Sequence, residues 1–582
     1  MFTPQQNCQT VNGKNFSAKG ILRKYSVLFQ LMLKEKDLLM TIKKILIRNF
    51  KCFKDDFELD FKNGLNIIVG DNESGKSTIL QAIHLALSGW INGRHLYNEL
   101  SQYLFNYRSV EEYLNGIKNG TVTEPPNILI EIYFDSDESP LLKGNGNSKQ
   151  VEATGIALKI EFDEKYQEEY EILVKNGDIK SLPIEYYNFY WESFARDEHI
   201  TPRSIPLKSS LIDTSNTYRG YNAQINRLVK DLLETDEIVD ISQAHRSMKD
   251  HFAEDNSVKN INKKIQENID LSNKEFELAV ELSSKSAWTD SLITHLDKIP
   301  FNHVGSGEQC IVKTKLALSF GRSAEANTIL IEEPENHLSH SKLNWLLNDI
   351  KTGSSGKQII INTHSSFVAN KLGLDSLILL NDLKTTKFED LTTSTKQFFE
   401  KLSGYDTLRL ILCKKVILVE GDSDELIVQR AYMDEHDKLP IEEGVDIISV
   451  GTSFLRFLEI AAKINKPTVV ITDNDGDIEA IKSKYSDYLI EDKYPYISIS
   501  YDSEIDTGDL VISGVNFNYN TLEPKIVKAN GLETMNKVLE TDYQGIDEMH
   551  KYMRNNKTEC ALKIFGSEHK INFPEYIKSV IA

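Results

Sequence analysis

Two runs of alternating strands and helices, separated by a polar and mostly helical stretch, predict an α/β protein with two parallel-sheet domains in series. Three observations carry this. An apolar run at 65–69 ends in a glycine-bearing loop, with a helix-like segment from Ser77 through Ala86 behind it. Apolar runs return at 329–331, 358–362 and 376–380. A second series begins at Lys414, with strands expected at 416–419, 445–450, 469–472 and 497–499, separated by helix-like stretches. Such alternation implies parallel sheet with helices on its faces.

At the amino end, 41–49 and 57–61 alternate apolar and polar residues, and with 65–69 they read as strands of one sheet; further strands are expected at 128–134 and 156–162. From 191 to 297 the pattern is polar and mostly helical, without the sustained apolar heptads that a long coiled coil demands. The expected division is an amino-terminal extension at 1–39, a first lobe at 40–190, a helical insertion and candidate dimerisation region at 191–297, a second part of the same domain at 298–400, and a carboxy-terminal α/β domain at 401–582. Residues 1–39 show no signal-peptide core, and Met40 directly precedes the first clear strand, which suggests an extension or a misassigned start.

The chain has 582 residues, too many for one core, and 40% are hydrophobic, enough for each domain to bury its own. No run approaches the roughly 20 apolar residues that cross a bilayer, so the protein reads as soluble. Cys8, Cys52, Cys310, Cys413 and Cys560 are widely spaced, which argues against a zinc site or disulfide framework and for a reducing cytoplasm. A net charge of −20 argues against a wholly basic, nucleic-acid-coating surface but leaves room for a local basic channel.

Gly70-Asp-Asn-Glu-Ser-Gly75-Lys76-Ser77 fits the phosphate-loop pattern. Its glycines let backbone N–H groups wrap phosphates, Lys76 can reach the β and γ phosphates, and the Ser77 hydroxyl can ligate Mg²⁺. Thr328-Ile-Leu-Ile-Glu332-Glu333 is a buried strand ending in two carboxylates, the first suited to the metal and the second to the attacking water. Val304-Gly305-Ser306-Gly307-Glu308-Gln309 leads into a helix expected at 310–320, and small residues there suit a terminal phosphate. His364 closes the strand at 358–362 and can hydrogen-bond the same phosphate.

In this order and spacing the four segments resemble the ABC ATPase superfamily over residues 41–385. The resemblance implies that Asn72, Gly75, Lys76, Ser77 and Thr78 hold ATP, that Glu332 is the magnesium ligand and Glu333 the catalytic carboxylate, and that His364 is the switch histidine. It further implies a head-to-tail dimer or higher homo-oligomer, in which Ser306 and Gly307 of one subunit complete the site of another. The chain departs from the commonest form twice, with Gly-Ser-Gly-Glu-Gln in the signature and Glu332 where aspartate is usual.

In the second series, one apolar strand ends in Glu420-Gly421, with Asp424 following, and another ends in Asp473-Asn474-Asp475-Gly476-Asp477. Adjacent strands of a doubly wound sheet bring such ends together, and oxygen-only clusters select Mg²⁺ or Mn²⁺. A calcium loop starting at Asp473 would put Lys484 where the closing glutamate belongs, which disfavours that reading; a plain polar turn is the other alternative. The pair looks like a Toprim domain, and ABC ATPase followed by Toprim resembles the OLD (overcoming lysogenisation defect) family, related to the Gabija-type defence nuclease. Asn520-Thr-Leu-Glu523 and Lys557-Thr-Glu-Cys-Ala561 resemble further segments of that family, adding Glu523 as a ligand and Lys557 as the catalytic lysine.

The resemblance implies an ATP-binding and ATP-hydrolysing, two-metal DNA endonuclease in antiphage defence, with Glu420, Asp473 and Asp475 on one ion and Asp424 and Glu523 on the other. A non-cutting DNA clamp or recombination mediator is the alternative, and primer synthesis a more remote one. Whether a neighbouring gene supplies a helicase, or a reverse transcriptase with a non-coding RNA, stays open.

Overall fold

The computed structural model describes residues 40–581 except 121–123, 137–138, 176–178, 198–199, 320–327, 354–355, 382, 403–406, 491, and most of 214–234 and 269–291. The amino-terminal extension expected at 1–39 lies outside the described residues. Among those described, no helix is long and apolar enough to cross a membrane.

The first departure from expectation is that the early strands divide between two sheets. β1 (Ile42–Arg48) and β2 (Phe57–Asp60) pair antiparallel and continue through β4 (Ile128–Phe134) to β5 (Ala153–Phe162) and β6 (Tyr187–Ser193). β3 (Leu65–Gly70) instead lies in a parallel sheet between β9 (Gln358–Asn362) and β10 (Leu377–Asn381). That sheet continues through β8 (Thr328–Glu332) to β7 (Ser209–Asp213) at one edge, and an antiparallel strand β11 (Lys384–Lys387) closes the other. The physical difference is visible in the residues. β3 buries both faces, with Ile67 and Val69 in one core and Ile68 in another, as crossover-covered parallel strands do.

The stretch beginning at 191 is likewise not all helix. It contains the end of β6, all of β7 and a short hairpin at 295–300, besides α2 (Thr235–Glu254) and α3 (Asn256–Asn268). β7 escapes notice because Ser-Ser-Leu-Ile-Asp is short and half polar, yet it pairs residue for residue with β8.

Helix α1 (Lys76–Ser88) follows the phosphate loop and packs its apolar side, including Ile79, Leu80 and Ile83, between the two sheets. Gly75 enters it at φ 102°, a conformation that a side chain strains to adopt. The signature helix α4 (Ser306–Ser319) begins four residues before the expected start, so Ser306 and Gly307 form its first turn. α5 (His340–Gly353), α6 (Ser366–Leu372), α7 (Thr393–Lys401) and α8 (Thr407–Leu412) lead to the second sheet.

That sheet has the order β13–β12–β14–β15, all parallel, from β12 (Lys415–Val419), β13 (Val445–Ser449), β14 (Thr468–Ile471) and β15 (Ile497–Ser500). Alternate residues of β12 enter different cores. Val416 and Leu418 join one shared with Ile67, Ile331 and Phe399 of the first domain; Ile417 and Val419 face helices α9 (Asp422–His436), α11 (Leu522–Leu539), α12 (Lys557–Gly566) and α13 (Glu575–Ile581). The two sheets thus share apolar packing, with α10 (Phe454–Lys463) contributing Phe454 and Phe457 to the common core.

Candidate functional site

The first cluster lies at the carboxyl ends of β3, β8 and β9, where an open parallel sheet places its ligands. Lys76 is only 4% exposed, and its ammonium donates to the carbonyls of Gly70 (2.9 Å) and Asp71 (2.7 Å). Burial pushes its pKa down, against the pull of Glu333 and Asp71. Asn362 donates to Ser77 (3.3 Å) and, more weakly, to Glu332 (3.5 Å), and so ties the loop serine to the acidic strand. Burial pushes Glu332 up, the Ser77 hydroxyl draws it down, and Asp213 beside it pushes up again. Glu333, at φ 44°, faces His364 across 3.4 Å and accepts from Asn336 at 2.7 Å. Burial and the Lys76 ammonium both lower the pKa of His364, favouring a neutral ring.

Three groups here had no role in the sequence reading. Asp213 is the register partner of Glu332 on the neighbouring strand, a place only the pairing of β7 with β8 reveals. Asn362 is hidden within an apolar run. Glu335 accepts from Thr363 Oγ1 (2.7 Å) and from the His364 backbone N–H (3.0 Å), joining the acidic loop to the histidine loop; its Oε2 is buried without a partner among the described residues. Asn72 is exposed at the tip of the phosphate loop, while Thr78 turns its hydroxyl towards Cys52. Ser306 and Gly307 begin the signature helix beside the acidic loop. A Cβ on Gly307 would collide with the His337 carbonyl oxygen, so glycine there permits close approach of the two segments.

The second cluster lies at the carboxyl ends of β12 and β14, neighbouring strands with Leu418 opposite Val470. Strand spacing of about 4.8 Å therefore puts Glu420 level with Thr472 and beside Asp473. Asp424 enters from the first turn of α9, where its carboxylate accepts from the Gly421 N–H at 3.1 Å. Burial, then Glu523, then Glu420 raise Asp424 to about 6. Burial raises Asp473 well above its ordinary value, with Asp424 and Glu523 next in effect and Asp475 last. Glu523 thus repels both Asp424 and Asp473, and Asp424 repels Asp473, so these three carboxylates are neighbours; Glu420 acts on Asp424 and Asp475 on Asp473.

Both oxygens of Asp473 are held: Oδ2 accepts from the Leu522 N–H (3.0 Å) and Oδ1 from the Tyr576 hydroxyl (3.3 Å). Asp475, exposed at φ 48°, accepts from Asn518 at 3.0 Å. Asn474 is 1% exposed and anchors the loop by donating to the carbonyls of Asp502 (2.7 Å) and Glu504 (2.9 Å). Glu523, 8% exposed, pairs with Lys557 at 2.9 Å. Lys557, at the amino end of α12, has its pKa raised by Glu523, Asp473 and Asp424, which outweigh its burial. Among the described residues no group of three or more His, Cys, Asp or Glu side chains is arranged so as to hold a metal ion. By chemistry the donor set suits a hard divalent cation, since it offers oxygen ligands only.

The description "AAA domain" matches residues 44–299, and "Overcoming lysogenization defect protein-like, TOPRIM domain" matches residues 411–475. An OLD nuclease of Thermus scotoductus is 22% identical over 472 residues, covering 75% of this chain and 82% of that protein. An ATP/GTP phosphatase of Helicobacter pylori is 22% identical over 56% of this chain and 85% of its own length. A structural maintenance of chromosomes protein 3 homolog of Plasmodium falciparum is 34% identical over 99 residues, and there the chain spans only 7% of the relative's length. Among solved structures, the recombination mediator RecF with ATP aligns at TM-score 0.33 and 12% identity, covering 60% of this chain and 99% of that one. The SmcHead bound to the C-winged helix domain of ScpA aligns at 0.31 and 16%, covering 59% and 96%.

Phosphate loop, acidic strand and histidine on one parallel sheet, followed by strand-end carboxylates on a second, define an ABC-type ATPase joined to a Toprim domain. Its Toprim segment matches the OLD-like description, and the chain is similar to an OLD nuclease along three quarters of its length.

Proposed function

We propose that the chain is a DNA endonuclease that depends on divalent metal and is regulated by ATP. The observation that carries the reading is the convergence of Asp424, Asp473 and Glu523 from three separate segments, with Lys557 paired to Glu523. These three carboxylates, flanked by Glu420 and Asp475, would hold Mg²⁺ or Mn²⁺. This grouping puts Asp473 with Asp424 and Glu523, a different division from the two sets expected of the sequence. Bound cations of this kind activate water and stabilise the leaving oxygen of a phosphodiester. The protein's own part is to orient the carboxylates, through the Leu522 N–H on Asp473 and the Gly421 N–H on Asp424, and to set the Lys557 ammonium where charge builds on the phosphate.

In the first cluster, Lys76 would exchange its loop carbonyls for the β and γ phosphates. Ser77 and Glu332 would hold Mg²⁺, with Glu333 and His364 beside the γ phosphate. Asn72 and Thr78 complete the nucleotide contacts, and Ser306 and Gly307 act on a second subunit's nucleotide, so a homodimer is part of the proposal. Phosphodiester hydrolysis needs no outside energy, so ATP serves here to control access to the second cluster. An antiphage role and a cytoplasmic location belong to the same proposal and rest on the family resemblance.

The test is supercoiled plasmid incubated with Mg²⁺ or Mn²⁺, with and without ATP. Glu420→Ala and Asp473→Ala abolish nicking while nucleotide binding persists. Undiminished cutting by either variant refutes the assignment. Plating efficiency of phage on cells carrying wild type or Asp473→Ala tests the defence role.

A further inference from the structure

The last helix of the described chain reaches back to the carboxylate cluster. α13 is tied down at three places: Ser500 Oγ donates to the Tyr576 carbonyl (2.6 Å), Lys415 Nζ to that of Val580 (3.4 Å), and His436 Nε2 meets that of Ile581 (2.7 Å). These partners lie on β15, β12 and α9, so the helix is held by the elements that build the site. Its Tyr576 is 7% exposed and belongs to the same apolar cluster as Ile571, Phe573 and Ile577, while its hydroxyl meets Asp473 Oδ1 at 3.3 Å.

We propose that Tyr576 is a positioning residue for the divalent-cation site, its hydroxyl fixing the plane of the Asp473 carboxylate. The inference rests on the cation-binding reading above and adds a residue to it. Each carboxylate oxygen has two lone-pair directions. The Leu522 N–H uses one on Oδ2 and the tyrosine hydroxyl one on Oδ1, so each oxygen keeps one for a cation and the group cannot rotate. Without the hydroxyl, only one oxygen is anchored, and the carboxylate must be ordered anew each time a cation binds. Partners that orient ligating carboxylates in this way change metal affinity by about 10- to 100-fold when removed.

The experiment is calorimetric titration of the nucleotide-free full chain with Mn²⁺ alone, using Asp473→Asn to identify binding at this cluster. Tyr576→Phe keeps the ring and its packing; it raises the dissociation constant about 10-fold while the protein still melts cooperatively in chelator. Ser500→Ala loosens the helix but leaves the hydroxyl, and its affinity stays at the wild-type value. Unchanged affinity in Tyr576→Phe overturns the proposal, as does equal weakening in Ser500→Ala, which would assign the effect to helix docking. Wild-type binding no stronger than that of Asp473→Asn overturns both this proposal and the cation reading beneath it.

Discussion

Replacing Arg409 with methionine removes a polar tie between α8 and the second sheet. Arg409, on α8, grips Asp446 of β13 with two hydrogen bonds, Nε to Oδ2 at 3.1 Å and Nη2 to Oδ1 at 2.6 Å. The same Nη2 donates to the Ile447 carbonyl at 3.0 Å and stands 3.7 Å from Glu425, the residue after Asp424. The Asp446 side chain is 10% exposed and that of Arg409 38%. Removing one partner of a fully buried pair costs about 3–5 kcal/mol, and the partly solvated guanidinium lowers this to about 2–3 kcal/mol. Because apolar packing runs through both sheets, the loss should shift the main urea transition. Asp446→Asn and the double variant complete a cycle, in which a coupling of about 1–3 kcal/mol is expected. A coupling below about 0.5 kcal/mol would refute the claim that this fork ties α8 to β13. Methionine here also frees the start of α9, so plasmid nicking should fall even where folding is retained.

Four further outcomes follow from the geometry. Lys76→Ala abolishes measurable ATP binding by fluorescent-nucleotide titration and removes any response of cutting to ATP, while the α/β circular dichroism is kept. Glu333→Gln retains ATP binding but slows phosphate release by about 100-fold or more, and size-exclusion chromatography with ATP shows a larger dimer fraction. Lys557→Ala slows nicking by about 100-fold with little loss of Mn²⁺ affinity, since it removes a competing cation from Glu523. Asp424→Asn stabilises the metal-free protein at pH 7. The folded pKa of about 6 lies above the unfolded value, so the favourable contribution of Asp424 is complete below about pH 4 and lost as pH rises through 6. In chelator the asparagine variant should gain about 1–3 kcal/mol at pH 7 and nothing at pH 4; a destabilised variant at pH 7 contradicts the crowding described above.

How much was legible depended on whether a residue's role is local. The phosphate loop, Glu332 and Glu333, and the Glu420 and Asp473 strand ends are set by short segments whose residue types carry the chemistry. Sheet membership was not local. β1 and β3 both look apolar and extended, and only the long-range pairing of β3 with β9 separates them. Asp213 became visible only through the parallel register of a short, half-polar strand. Asn362 sits in an apolar run, and its amide is informative only because Ser77 lies opposite. Tyr576 is 103 residues from its partner Asp473, a distance no spacing rule spans.

The central claim is that carboxylates from distant segments of the carboxy-terminal domain grip divalent cations. Crystals of the full chain soaked in Mn²⁺, measured at the manganese absorption edge, test it most directly. Anomalous density among Asp424, Asp473 and Glu523, lost in Asp473→Asn crystals, is the predicted result. Manganese found only beside Ser77 and Glu332, with the second cluster empty, would contradict the account.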